Sequence, residues 1–116
     1  MLFANLLDFV AYEDPEKHLE LKIYPGRTYV IGRTTAGDEP DVDLNKLGGA
    51  GQGISRKHAT LMLDGDTLFI KDLNSTNYTF VEGRKLRGNE QLALKSGDRI
   101  QTGNFLFMIH FRERTE

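Results

Sequence analysis

Apolar and polar residues alternate along much of this chain with a period of two. Leu19, Leu21 and Ile23 fall on one side of a run, and Glu20 and Lys22 fall on the other. That is the pattern of an antiparallel strand with one buried face. Ala59, Leu61 and Leu63 alternate in the same way with Thr60 and Met62. Leu68 and Ile70 alternate with Phe69 and Lys71, up to Asp72. Between these two runs, Asp64-Gly65-Asp66 is a hairpin signal. Near the C-terminus Phe105, Phe107, Ile109 and Phe111 share one face, opposite Leu106, Met108 and His110, and the aromatic stripe reads as core. Shorter strands are predicted at Tyr29-Val30-Ile31, Phe80-Val81, Leu92-Ala93-Leu94 and Arg99-Ile100-Gln101. Pro25-Gly26, Glu82-Gly83, Lys95-Ser96-Gly97-Asp98 and Gly103-Asn104 supply the turns between them.

Two stretches lack this clarity. Leu2, Phe3, Leu6, Leu7 and Val10 carry a spacing compatible with a helix, while Phe9-Val10-Ala11-Tyr12 looks like strand. Periodicity does not decide so short a run; a strand over about 5–12 is the expectation, followed by a turn at Glu13-Asp14-Pro15-Glu16. Residues 34–54 show no sustained period and contain Gly37, Gly48, Gly49, Gly51 and Gly53. Only Val42-Asp43-Leu44 is expected to pair briefly there. A loop this long inside a compact domain is usually functional or mobile. Its acids, Asp38, Glu39, Asp41 and Asp43, lack the glycine and distal glutamate of a calcium loop. They read as a solvated acidic loop, with no metal. Residues 112–116 read as a frayed tail. Many short strands, frequent turns and no convincing helix predict an all-β fold, an antiparallel sandwich. One domain is expected over 1–116, with its core at about 5–111.

Composition narrows the function classes. At 116 residues, 39% apolar and 28% charged, the chain is long enough for a real core and ordinary for a soluble protein. A formal net charge of -2 and a pI near 5.9 supply no field favouring nucleic acid or an anionic membrane. There is no cysteine, hence no disulfide framework and no thiolate metal site. The apolar run 2–10 is broken by Asn5 and Asp8, too short to span a bilayer, and not framed as a signal peptide. The expectation is a cytoplasmic protein, or a soluble part of something larger, without membrane insertion.

The chemistry concentrates in three short signals, each where a strand gives way to a loop or the reverse. They are Gly32-Arg33, Ser55-Arg56-Lys57-His58 and Ser75-Thr76-Asn77. A dianionic phosphate needs a guanidinium, which is planar and always charged. It also needs hydroxyl and backbone N–H donors, on loops held by a rigid frame. Arg33 leaves a buried strand, and Gly32 is expected to remove a side chain that would crowd it. Loops at one end of a sandwich can converge on such an anion.

These signals, with Thr79, resemble the forkhead-associated (FHA) domain. Leu92-Ala93-Leu94, Gly97-Asp98-Arg99-Ile100 and Gly103 match the closing half of that family's pattern, so the resemblance runs from about Tyr24 to Phe111. It implies a sandwich of about eleven strands that binds phosphothreonine peptides through loops at one end. By that resemblance Arg33 would pair with the phosphate and Ser55 would donate its hydroxyl. Arg56 would make a further peptide or phosphate contact. Thr76 would touch the phosphate or the threonine methyl, and Asn77 would hold the peptide backbone. Gly32, His58 and Ser75 would fix loop geometry. Loops 34–54 and 84–91 would read side chains beyond the phosphothreonine. The implied function is phosphorylation-dependent protein–protein interaction downstream of a serine/threonine kinase, with no catalysis and no cofactor. Two positions depart from the family. Tyr78 stands where a glycine usually follows the asparagine, and Glu82 where an asparagine usually precedes Gly83. If position 78 has positive φ, either the turn changes shape or neighbours lock a strained tyrosine.

A scaffold that binds a partner or itself independently of phosphate is the alternative, motivated by Tyr78 and the long loop. Ser55 and His58, three apart, suggest a nucleophile and base, but no orienting group or oxyanion motif accompanies them. Arg84-Lys85-Leu86-Arg87 reads as a solvated hairpin, too small a basic cluster for nucleic acid. His18 and His110 have no evident partner.

Overall fold

The structure, a computed structural model, describes residues 6–112. The start of the first apolar run and the tail beyond residue 112 therefore lie outside the described residues. In chain order the strands are β1 (Leu6–Ala11), β2 (His18–Lys22), β3 (Thr28–Gly32), β4 (Val42–Asp43), β5 (Lys57–Asp64) and β6 (Thr67–Asp72). They continue with β7 (Thr79–Val81), β8 (Arg84–Lys85), β9 (Gln91–Ala93), β10 (Asp98–Thr102) and β11 (Phe105–Arg112). One sheet has the order β2-β1-β11-β10-β7-β8, and the other β4-β3-β5-β6-β9.

The alternating apolar positions close the space between the sheets. Leu7 and Phe9 of β1, Phe107 and Ile109 of β11, and Ile100 of β10 are buried on one side. Ile31 of β3, Leu61 of β5 and Ile70 of β6 are buried on the other. Phe9 and Phe107 meet with ring centroids 6.3 Å apart. Each such side chain contributes about 1.5–3 kcal/mol through removal from water. The core is thus where the period-two pattern places it.

Three features differ from the sequence expectation. The β3–β4 pair is parallel, in an otherwise antiparallel set. The stretch read as loop contains a 3₁₀ turn, Leu44–Leu47, capped by Asp43 and closed by Gly48 at φ 98. Its Leu44 and Leu47 are buried. Arg112, expected in the tail, is the last residue of β11, paired with Leu6, and its guanidinium donates to buried Asp8 at 2.6 Å. Asp8 also meets His18 Nδ1 at 2.9 Å, the partner that was not evident from sequence.

Asp43 departs from the expected solvated acid as well. It is buried, and its carboxylate accepts from Thr34 N–H, Thr34 Oγ1 and Asn45 N–H. Asp41 accepts from the N–H of Val30, and Glu39 pairs with Lys46. Asp41 thus ties the loop to β3, while Asp43 and Glu39 tie parts of the loop to one another.

Candidate functional site

The site begins with an irregularity in β5. Along the β3–β5 pair the register passes from Ile31↔Ala59 to Gly32↔Lys57, so His58 is an extra residue on β5. A bulge re-aims side chains. Here it lets His58 and Ala59 both face inward, and His58 is fully buried. The same crossing explains Gly32. A Cβ there would lie 1.9 Å from the carbonyl oxygen of Arg56. Gly32 is thus needed for the approach of the Arg56 backbone, not to make room for Arg33 as the sequence suggests.

His58 joins two loops. The N–H of Ser55 donates to its Nδ1 at 3.0 Å, so the ring proton sits on Nε2, which donates to the carbonyl of Tyr78 at 2.8 Å. Burial disfavours the imidazolium and holds His58 below its usual range, against the opposing pull of the Tyr78 carbonyl and the Asp72 carboxylate. With both nitrogens engaged, and Nδ1 facing the amide of Ser55, the ring is not placed to activate the Ser55 hydroxyl.

Loop 73–78 is shaped by Asp72 at the end of β6. Its carboxylate accepts from Ser75 Oγ at 2.5 Å, Ser75 N–H at 3.0 Å and Thr79 Oγ1 at 2.6 Å. Burial works against its charge, but these donors outweigh burial and leave its pKa below the ordinary carboxylate value. In the sequence Asp72 reads only as a strand end. The available signal was local: an aspartate closing a strand, with serine three residues on, is a turn-capping arrangement.

The proposed ligands form a connected set. Arg33 N–H donates to the carbonyl of Arg56 at 3.3 Å, and Arg33 Nε to the carbonyl of Ile54 at 2.7 Å. This fixes the guanidinium beside Ser55, and its Nη groups have no protein partner among the described residues. Ser55 Oγ accepts from the N–H of Thr76 at 3.3 Å. Asn77 Nδ2 donates to the carbonyl of Gly53 at 2.9 Å, leaving its Oδ1 available. Arg33 and Ser55 are half-buried, whereas Arg56, Thr76 and Asn77 are exposed. Among the described residues, Arg33, Arg56 and Lys57 enter no ion pair. The result is a patch of cations outside any ion pair, beside hydroxyl and amide groups, with Asp38, Glu39 and Asp41 lining the same hollow as Arg33, Arg56 and Lys57.

Hollows flank this patch. One of about 400 Å³ is lined by Asp38, Ser55, Arg56 and Lys57. Another of about 390 Å³ includes Arg33, Gly51, Gly53 and Ile54. A further hollow of about 410 Å³ lies by Tyr12, Lys17, Leu47, Gln52 and Phe105. It offers a single lysine together with Glu13 and Asp14, and so lacks the chemistry for an anion.

Tyr78 has φ 67 and therefore keeps the left-handed backbone that a glycine would take. The cost for a tyrosine is about 1–2 kcal/mol. Its carbonyl is held by His58 Nε2 and by the N–H of Gly103. Gly103 sits so close beneath that a Cβ would lie 2.5 Å from the carbonyl oxygen of Gln52. Of the two outcomes expected for position 78, neighbours lock the strained turn. Glu82 at φ 48 and Gly83 at φ 80 make a two-residue turn of the I′ kind between β7 and β8. The Glu82 carboxylate braces it by accepting from the N–H of Arg99 at 2.6 Å.

Comparison with known proteins places this geometry. A sequence model described as "FHA domain" matches residues 29–103. Protein FraH of Nostoc sp. is 32% identical over 96 residues, covering 78% of this chain and 33% of that protein. The chain spans less than half of the length of the curated relatives it matches. Among solved structures, the FHA domain of CT664 from Chlamydia trachomatis aligns with a TM-score of 0.70 at 29% identity, covering 92% of this chain and 96% of that one. The N-terminal FHA domain of Rad53p from S. cerevisiae, solved with a phosphothreonine peptide, aligns with a TM-score of 0.74. At 22% identity, over 92% of this chain and 94% of that one, that likeness speaks to the fold.

Proposed function

This chain belongs to the FHA domain family, and on that footing we propose that its loop cluster recognises phosphothreonine in a partner protein. The observation that carries the reading is the state of Arg33. Its Nε is spent on the Ile54 carbonyl, which fixes the plane of a guanidinium that enters no ion pair among the described residues. A pre-set planar donor fork suits a phosphate dianion and spares the ordering cost of a free arginine.

The remaining roles follow from position. Ser55 Oγ and Arg56 add donors to the phosphate oxygens. Thr76, next to Ser55, contacts the phosphate or the ligand methyl. Asn77 keeps one N–H on Gly53 and offers Oδ1 to a peptide N–H. Gly32, His58 and Ser75 hold the loops beneath them. The ligand is then the product of a serine/threonine kinase. On this reading the chain works in the cytoplasm, by binding and without turnover.

An oriented phosphothreonine peptide library, run against the wild type and Arg33→Ala, tests the reading. The wild type is expected to retain phosphorylated peptides, and Arg33→Ala to lose at least about 30-fold in affinity, the worth of charge-assisted hydrogen bonds. Equal retention by both proteins, or capture that survives phosphatase treatment, would favour the phosphate-independent scaffold instead.

A further inference from the structure

Tyr78 leads beyond the phosphate site. Its left-handed backbone is one that glycine adopts without strain. The residue is 48% exposed, so core packing does not account for the tyrosine. Strain of this kind persists where the surroundings over-determine it, and it clusters at functional positions. The ring does have one close companion: the ammonium of Lys85, across the β7–β8 hairpin, stands 4.0 Å from its centroid.

The rest of the hairpin explains why that lysine is available. Glu82 is occupied by the N–H and guanidinium of Arg99. Glu90 is occupied by the guanidinium of Arg84 and the N–H of Arg87. Both local acids are thereby committed, and Lys85 forms no ion pair among the described residues. Tyr78 directly follows Asn77, which is bonded to Gly53 of the neighbouring loop. A lysine held on an aromatic face keeps N–H donors for a further partner and has less freedom left to lose on binding it. By the long loop the charges balance instead, because Asp38, Glu39 and Asp41 share a hollow with Arg33, Arg56 and Lys57.

We propose that Lys85, positioned by Tyr78, recognises an acidic side chain on one side of the phosphothreonine. Lys85 makes the contact and Tyr78 is a positioning residue. The inference rests on the phosphothreonine reading above. Acids offset the cations by the long loop, whereas none offsets Lys85 among the described residues, so the preference has a direction.

The test is a set of phosphothreonine peptides with glutamate or alanine at each flanking position, titrated at low and high salt. The readout is the ratio of glutamate to alanine affinity at each position. In the wild type, positions on one side are expected to give a ratio of roughly three to ten that shrinks in 1 M salt. Lys85→Ala is expected to bring the ratio to about one and Lys85→Glu to invert it. Tyr78→Phe retains the ratio. Tyr78→Gly lowers it without lowering the melting temperature, an outcome that a purely structural tyrosine would not give. Lys22→Ala, which removes the same charge from the opposite edge of that sheet, leaves the ratio unchanged. A wild-type ratio of one at every position, or a ratio that survives Lys85→Ala, overturns the inference while the phosphothreonine reading stands. Failure of every phosphopeptide to bind better than its unphosphorylated twin overturns both.

Discussion

At position 32 a side chain and the Arg56 carbonyl would compete for one place, separated by 1.9 Å. The atom in the way belongs to backbone, so relief requires β3 and β5 to part. Gly32→Ala is expected to cost roughly 3 kcal/mol, the upper range for overpacking, and to lower the melting temperature by about 12 °C at ~4 °C per kcal/mol. A thermal melt within a few degrees of wild type would contradict the close approach. At this scale the sequence was informative about residue type and weaker about reason. Gly32 stood out through its neighbour Arg33, yet what demands the glycine is the carbonyl of Arg56, in the loop just before β5. Asp43 and Asp72 passed as a loop acid and a strand end, because the donors that surround them become neighbours only when loops fold back.

At the scale of elements, one buried carboxylate shapes a whole loop. Asp72→Ala leaves Ser75 Oγ, Ser75 N–H and Thr79 Oγ1 without their acceptor in a buried setting. The expected cost is about 3–5 kcal/mol, with the ligand-binding loop released at the same time. Hydrogen exchange is expected to show lost protection at 73–79 while β11 keeps its own; uniform protection across the chain would count against the loop being set by Asp72. The strands themselves were legible where alternation is long, as in β5, β6 and β11, since each buries one face and leaves the other wet. β8 has only Arg84 and Lys85, both exposed, so no apolar period announces it. β4 and the 3₁₀ turn at Leu44–Leu47 are a few residues each, set among glycines that mask any period. The bulge at His58 escaped notice because His58 and Ala59 together break the alternation that marks the rest of β5.

For the whole molecule, the two sheets serve as the frame and the junctions between their loops as the working part. Those junctions carry a pH dependence. His58 is held below its usual pKa, so its stabilising contribution is fully present above the unfolded value near 6.5 and is lost as pH falls below it. Asp72 is held below its ordinary 3.8, so its contribution is present above that value and is lost as pH falls through the lower folded one. Urea midpoints are therefore expected to be level from pH 8 to 7, to decline below about 6.5, and to fall again near pH 4. In His58→Gln the first decline should be reduced; a slope identical to wild type would show that His58 does not titrate as its burial requires. The central claim concerns the anion, and the most direct measurement is calorimetric titration of one library-selected peptide in three forms. The phosphothreonine form is expected to bind, the phosphoserine form roughly fourfold more weakly for the loss of one methyl contact, and the unmodified form without measurable heat. Equal heats and affinities for the phosphorylated and unmodified peptides would contradict the account.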